Sequence, residues 1–408
     1  MREKAGPFEG LNVVELSELV SGPYCTRMLG AMGADVIKVE AVGGGDRSRA
    51  CGPFLSDSAN PELSALFLYL NTNKKSVTLD WEAPEGREIL KRLLAQADVL
   101  VENHPPGYLQ GLDLSYTDLR EINPALVVVS LSPFGSFGPY AEWETTPLVD
   151  LALGGYLFLT GEADREPLAL PGYQADYLAA LHGYAGCLLA LLSRADSGEG
   201  QHVEVATMEV LASLHQFTTV MYTYGGTIRR RHGNRWETAD PYSRYPITVL
   251  PCKDGYVSFA VSTERQWELM CSMVDRADLI DNPRMSTFRD RRRHADEIDA
   301  ILIDWMKDKT KEEVFHLAAG VWSVPVAPLS SLPEVLADPQ FRDRGLWATA
   351  YHPEAGRLEF PSLPFTMSDG ALAFEAAPLL GEHNREIYQS RLGYDEAELS
   401  RLSKLRVI

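Results

Sequence analysis

The sequence predicts an α/β protein built on a parallel sheet, followed by a smaller α+β domain. Three observations carry this. Short apolar runs alternate with segments of helical period from residue 11 to 131, the pattern of successive βαβ units. A long apolar helix at 175–194 then leads into another strand at 203–205. Beyond Gly225-Gly226 the composition changes to a basic loop and a hairpin.

The elements follow in order. Leu11 to Leu16 reads as a buried strand. Ser21-Gly22-Pro23 opens a helix, with Ser21 suited to the N-cap and Pro23 to the first turn, and Gly33 closes it. Val36 to Val39 is the second strand, ending at Glu40. Two strands joined by a helix imply parallel pairing. Ser76 to Leu79 is extended. Pro84 starts a helix with Ile89, Leu90, Leu93 and Leu94 on one face, and Val99 to Val101 is a strand ending in Glu102-Asn103. Ser115 caps a further helix before a strand at Leu126 to Leu131. Leu148 to Leu159 is apolar. Gly183 and Gly186 permit close packing of the long helix, and Met208 to Tyr222 is helical. Lys253-Asp254-Gly255 turns a hairpin between 247–250 and 256–261. Helices follow near 264–275, 294–307 and 311–319. The domains expected are 1–225 (large), 226–330 (small, α+β) and a segment at 331–408 returning to the large one. In an open parallel sheet, ligands bind at the carboxyl ends of the strands.

The bulk numbers limit the function classes. The chain has 408 residues, 45% hydrophobic and 23% charged, enough for a large core without staples. A net charge of −19 repels nucleic acid and anionic lipid, so neither is an expected partner. An anionic ligand must find a locally basic or dipolar site. Five cysteines without metal or redox spacing read as free thiols of a reducing cytoplasm. No metal is expected from the nine scattered histidines. The polar N-terminus carries no apolar signal region, and no apolar run approaches the roughly 20 residues of a membrane span. The expectation is a cytoplasmic protein off the membrane.

Three common sites are absent. The first turn offers only Gly22, where a dinucleotide fingerprint needs three glycines for close approach to pyrophosphate. There is no Gly-x-Ser-x-Gly elbow and no P-loop. What stands out is Asp176, which begins an otherwise apolar helix. An acid in a first turn is commonly a cap or a dipole partner. It is also a candidate nucleophile, since a carboxylate can attack an activated acyl group and split one hard transfer into two easier ones. On this reading the helix N-terminus keeps it ionised at neutral pH.

Several segments add up to a family. They are Leu11 to Leu16 leading to Ser21-Gly22-Pro23, and Gly33-Ala34-Asp35-Val36-Ile37-Lys38-Val39-Glu40. Further along stand Asn71-Thr72-Asn73-Lys74-Lys75-Ser76 with Leu79-Asp80, Val101-Glu102-Asn103 and Gly138-Pro139-Tyr140. Ala175-Asp176-Tyr177, Gly198-Glu199-Gly200-Gln201 and Pro378-Leu379-Leu380-Gly381-Glu382-His383 complete the set. In this order and spacing the chain resembles the class III CoA-transferases, the group of formyl-CoA transferase and crotonobetainyl-CoA:carnitine CoA-transferase.

The resemblance implies a Rossmann-like large domain, a small middle domain, and an interlocked homodimer. It implies transfer of CoA from an acyl-CoA to a small carboxylic acid, with the CoA thioester as substrate and no resident cofactor. Asp176 would carry the acyl group as an anhydride and then CoA as a thioester. The CoA contacts would be Val20 and Ser21, Leu79, Asp80, Trp81 and Glu82, and Asn103 and His104. Three positions depart from the family: Ala41, Glu82 and Gly111 stand where relatives carry basic residues. Arg47, Arg49, Lys74 or Lys75 are candidate replacements, and the Arg229–Arg235 loop a possible anion site.

Trp143, Tyr156, Tyr173 and Trp236 are candidates for an acyl pocket. The 173–177 and 208–226 stretches lie nearer the carnitine enzyme than the formyl one, whose covering glycine run is missing here. Two alternatives remain. One is a racemase of the α-methylacyl-CoA type, although Thr146 stands where its catalytic His would fall. The other is a non-catalytic CoA-binding protein on the same fold.

Overall fold

A computed structural model describes residues 6–55, 59–236, 244–368 and 374–408; the first five residues of the polar N-terminal segment lie outside these. The chain forms two compact units. One comprises Met1–Gly154, Leu170–Leu214 and Pro339–Ile408, the other Gly155–Ala169 and His215–Asp338. The stretches 155–169 and 215–225 thus belong with the second unit, although their sequence runs on from the large domain.

The first unit is a six-stranded parallel sheet. Its strands are β1 (Asn12–Leu16), β2 (Asp35–Glu40), β3 (Lys74–Thr78), β4 (Val99–Glu102), β5 (Val127–Ser132) and β6 (His202–Ala206). The spatial order is β3-β2-β1-β4-β5-β6, with every pair parallel. That is the doubly wound order, reversing beside β1. The strands are apolar almost throughout because both faces are covered. Their side chains alternate accordingly. Val14, Leu16, Ile37, Val39, Leu100 and Val128 face one layer, containing α3 (Pro84–Leu94) and α4 (Tyr116–Ile122). Val13, Val36, Val99, Val101, Val127 and Val129 face the other, containing α1 (Ser21–Ala31) and α7 (Gln174–Ser197). Residues 339–408 return to this unit, where Ile387, Tyr388, Leu402 and Val407 join the first core layer. A separate antiparallel pair, Trp347–His352 with Gly356–Pro361, lies in the same segment.

Small residues let α7 lie close to the sheet. A Cβ on Gly183 would stand 2.8 Å from Leu131 Cδ2, and one on Gly186 would stand 2.6 Å from Val203 Cγ1. Ala179, Ala180, Cys187 and Ala190 complete that face. The opposite side leaves Leu189 and Leu192 each 68% exposed. By length and composition α7 could cross a bilayer, contrary to the sequence expectation of no such run. Here its small-residue side fills the core of an α/β layer.

Shorter helices complete the first unit: α2 (Ala65–Leu70), α5 (Pro147–Leu153) and α8 (Thr207–Ser213). The second unit holds α6 (Tyr156–Leu159) and α9 (Gln216–Gly225). The helix expected at 208–222 is therefore two helices, α8 ending and α9 beginning on either side of His215. The second unit also has the hairpin β7 (Ile247–Cys252) and β8 (Gly255–Ala260), with β9 (Val326–Pro328) beside β8. Its core gathers Phe259, Trp267, Met270, Leu302, Met306 and Val314. Ser21 does not cap α1: Val20 is the N-cap residue, and no side chain makes the cap bond.

Candidate active site

Because all six strands run the same way, the segments after β1, β2, β3 and β4 share one edge. Buried charge fixes that edge. Lys38 of β2 reaches Glu15 of β1 at 2.6 Å and Asp46 at 2.6 Å, and Lys74 of β3 reaches Glu15 at 2.8 Å, with none of these side chains exposed. Burial works to raise the Glu15 pKa, but Lys38 and Lys74 together outweigh it and hold the carboxyl at about 2. Burial brings Lys74 down to about 8 despite Glu15. Asp46 Oδ1 accepts from the backbone N–H of Leu19 at 3.0 Å, which ties the β1 loop to the β2 loop.

This network decides the fate of the proposed replacement cations. Arg49 is buried between Glu40 (2.7 Å) and Glu62 (2.7 Å), and Lys74 is committed to Glu15. Lys75 of β3 pairs with Asp35, at the start of β2, and with Glu386. Arg47 is exposed but bonded to Glu18 at 2.6 Å. The expectation that one of these four would replace a missing phosphate partner is therefore corrected for Arg49 and Lys74. Two are buried with their charges neutralised, and the other two already have carboxylates.

The residues singled out as CoA contacts come together in two clusters along the edge. In the first, Asn103 after β4 donates to Glu18 O (2.7 Å) and Ser21 Oγ (3.1 Å), and accepts from Glu18 N (2.9 Å). It thereby positions Ser21 and the buried Val20. In the second, Leu79, Asp80, Trp81 and Glu82 line a cavity of about 350 Å³ with Ala41, Val42 and Arg406. Trp81 Nε1 donates to Tyr108 Oη (2.9 Å), which donates to Glu82 Oε1 (2.7 Å). The His104 ring stacks on Tyr108 at 4.5 Å. Burial lowers the His104 pKa to about 4, so its imidazole is neutral at physiological pH. Tyr108 and Arg406 were not singled out from the sequence. Tyr108 lies in a Pro-Gly turn, and Arg406 is the third residue from the end of the sequence.

Asp176 is the third residue of α7. The helix packs on β5 and β6 and feeds β6 through Gly198–Gln201, so it runs against the strands. Its first turn accordingly lies at the carboxyl edge. No side chain makes the cap bond of this helix, so Asp176 does not serve as its cap. The residue is half-buried, and its Oδ2 has neither exposed surface nor a hydrogen-bond partner. Burial, helped by the charge of Asp150, raises the pKa from 3.8 to about 6; only the residue's own backbone N–H works the other way. The acid is thus ionised at neutral pH, but burial and Asp150 bring its titration much closer to neutrality than the helix start alone would. The carboxylate predominates only above about pH 6, and it is more basic, hence more nucleophilic, than an ordinary aspartate.

Asp150 is a residue that sequence reasoning missed. It lies in the first turn of α5, 5% exposed, with Thr145 Oγ1 donating to its Oδ1 at 2.9 Å. Burial raises its pKa as well. The signal was one acid inside the apolar run at 148–159. Thr146, where a racemase would need a base, is the N-cap residue of α5.

The aromatic candidates divide between the units. Trp143 packs against Tyr140 with tilted rings 4.3 Å apart and is 55% exposed, and Tyr173 directly precedes α7. Tyr156 meets His215 in the second unit, where Trp236 lies under Arg229 at 4.7 Å. In the basic loop Arg235 pairs with Asp296 and Asp299, and Arg231 donates to Glu162 O. Among the described residues, no group of three metal-ligating side chains occurs.

A family model described as CoA-transferase family III matches residues 8–384. A succinate–glutarate CoA-transferase of Agrobacterium fabrum is 32% identical over 390 residues, covering 95% of this chain and 96% of the relative. A succinyl-CoA–D-citramalate CoA-transferase of Chloroflexus aurantiacus is 31% identical over 405 residues, covering 98% of each. The crystal structure of a CAIB/BAIF family protein from Brucella suis superposes with a TM-score of 0.83 at 31% identity, over 95% of this chain and 100% of that one. The family model spans residues 8–384 and relatives above 30% identity cover nearly the whole chain, which therefore belongs to CoA-transferase family III.

Proposed function

We propose that Asp176 is the residue through which this transferase moves CoA, and that donor and acceptor are short dicarboxylic acids. The observation that carries the first part is the Asp176 carboxyl itself. It is half-buried at an uncapped helix start, with an unpartnered oxygen and a pKa raised to about 6. An unpartnered, half-buried carboxyl of this kind supports a bond-forming role over a capping one. The dicarboxylic class is drawn from the acids that the two relatives are named for.

The chemistry balances without metal, ATP or redox partner. An Asp176 oxygen attacks the thioester carbonyl carbon, the C–S bond breaks, and CoA leaves as thiolate from a mixed anhydride. The thiolate attacks Cγ of Asp176, forming an aspartyl thioester and releasing the donor acid. An acceptor carboxylate attacks the same Cγ and expels the thiolate into a second anhydride. The thiolate then attacks the acceptor acyl carbon, which restores Asp176. Exclusion of water matters in each anhydride, and partial burial of Asp176 serves it. Val20, Ser21, Asn103 and His104, with 79–82, would hold the CoA along the edge.

The exposed leucines of α7 support a homodimer, since apolar side chains at that exposure favour a partner surface. The free thiols and acidic surface support a cytoplasmic setting.

The test is chemical trapping. The protein is incubated with succinyl-CoA and hydroxylamine, and the peptide containing Asp176 is examined by mass spectrometry. A hydroxamate on Asp176, absent from Asp176→Ala, is the result expected. Turnover with unmodified Asp176, or a hydroxamate elsewhere, would remove the assignment.

A further inference from the structure

The resemblance implies basic residues where Ala41 and Glu82 stand here; of the four nearby candidates, Arg49 and Lys74 are buried against carboxylates, and Arg47 and Lys75 pair with carboxylates at the surface. A CoA nucleotide carries several negative charges, and this chain is −19 overall. Without a local cation, phosphate would meet a repulsive field.

The cavity between Ala41, Val42 and 79–82 contains one cation, Arg406. Its exposed side chain makes no ion pair and no side-chain hydrogen bond among the described residues. Its backbone, by contrast, is held. Val407 is buried in the first core layer, its N–H donates to Leu402 O (2.9 Å), and its carbonyl accepts from Asp80 N (2.8 Å). Arg406 N donates to Ser403 O (3.0 Å), and the residue adopts a left-handed φ of 56°. A non-glycine residue in that conformation is uncommon and is held there by its surroundings. The C-terminal turn is thus clamped to the segment that lines the cavity, and its arginine is presented to that space.

Two carboxylates share the cavity, and both are engaged. Asp80 Oδ1 accepts from Glu82 N and Ala83 N at 3.2 Å, and Glu82 Oε1 accepts from Tyr108 Oη at 2.7 Å. Their remaining lone pairs suit ribose hydroxyls or an adenine amino group, not phosphate.

We propose that Arg406 supplies the phosphate cation that the family's usual positions lack, holding a phosphate at the nucleotide end of CoA from the C-terminal turn. This rests on the CoA-transferase reading of the same edge, and deepens it by naming the residue that recognises the nucleotide. The guanidinium suits the task, since it offers paired N–H donors in the geometry of phosphate oxygens.

The test compares wild type, Arg406→Gln and Arg406→Lys. Calorimetry measures binding of CoA and of dephospho-CoA, and kinetics measure KM for succinyl-CoA and for succinyl-pantetheine, which lacks the nucleotide. Arg406→Gln should weaken CoA roughly tenfold, the scale of one partly exposed charge-assisted contact. Arg406→Lys should keep most of the affinity, and KM for succinyl-pantetheine should stay put. If the loss is seen with CoA but not with dephospho-CoA, the 3′-phosphate is the one held. An equal loss with both ligands assigns the diphosphate. CoA affinity unchanged within about twofold in Arg406→Gln, or an equal loss with the pantetheine thioester, overturns the proposal. The binding arm needs no turnover, so it judges Arg406 even where the Asp176 adduct fails to form.

Discussion

Replacing Asp176 by Asn should abolish transfer and stabilise the protein. The sign follows from the raised pKa. In the unfolded chain the carboxyl titrates near 3.8, and in the fold at about 6. Between those values the folded state binds the extra proton, so stability is fully present below the unfolded pKa and is lost as pH rises through the folded one. The shift corresponds to about 3 kcal/mol, an upper bound for one half-buried group. Asn is uncharged at every pH and has the shape of the protonated acid. Asp176→Asn should therefore match wild type near pH 4 and exceed it by about 1–3 kcal/mol above pH 7. Urea unfolding from pH 4 to 8, at one protein concentration, reads this directly. A variant no more stable than wild type at pH 7, or an advantage that does not grow with pH, would refute the account of the strained carboxyl.

Three further outcomes follow from particular contacts. Asp150→Asn removes the charge that helps raise the Asp176 pKa, so the acid limb of kcat/KM should move to lower pH in a pH–rate profile. Gly86→Ala sets a Cβ 1.8 Å from the backbone oxygen of Asp80, which cannot move aside cheaply. Stability should fall by about 1–3 kcal/mol in urea, and KM for acyl-CoA should rise as 79–82 shifts. Lys38→Met leaves Asp46 without a cation in the interior and Glu15 with Lys74 alone, and a loss of about 3–5 kcal/mol is expected in the same unfolding assay.

The parts of the fold legible in the sequence are those set by local periodicity. The β1–α1–β2 unit shows because Val13, Val14 and Leu16 are buried on both faces and Gly33, at φ 97°, closes the helix. Ser115 caps α4 as read, in a capping box with Asp118, and the hairpin turns at Lys253-Asp254. Where reading failed, distant partners decided. Ser21 looks like an N-cap in isolation, but its hydroxyl accepts from Asn103, 82 residues away. Arg49 and Lys74 look like surface charges, yet each is buried against carboxylates brought in from other strands. Asp176 was legible as an odd acid at a helix start. Its raised pKa was not, because burial and Asp150 lie outside its local sequence. Arg406 has no local signal at all; its place depends on Val407 docking against Asp80.

The path of oxygen tests the central claim most directly. In the sequence of acyl transfers above, one carboxylate oxygen of the acceptor remains on Asp176 after CoA departs. With succinyl-CoA as donor and glutarate labelled with heavy oxygen as acceptor, the label should appear in the Asp176 peptide after a few turnovers. Label confined to the glutaryl-CoA and free acids, with Asp176 unlabelled while turnover proceeds, would contradict a covalent aspartyl route.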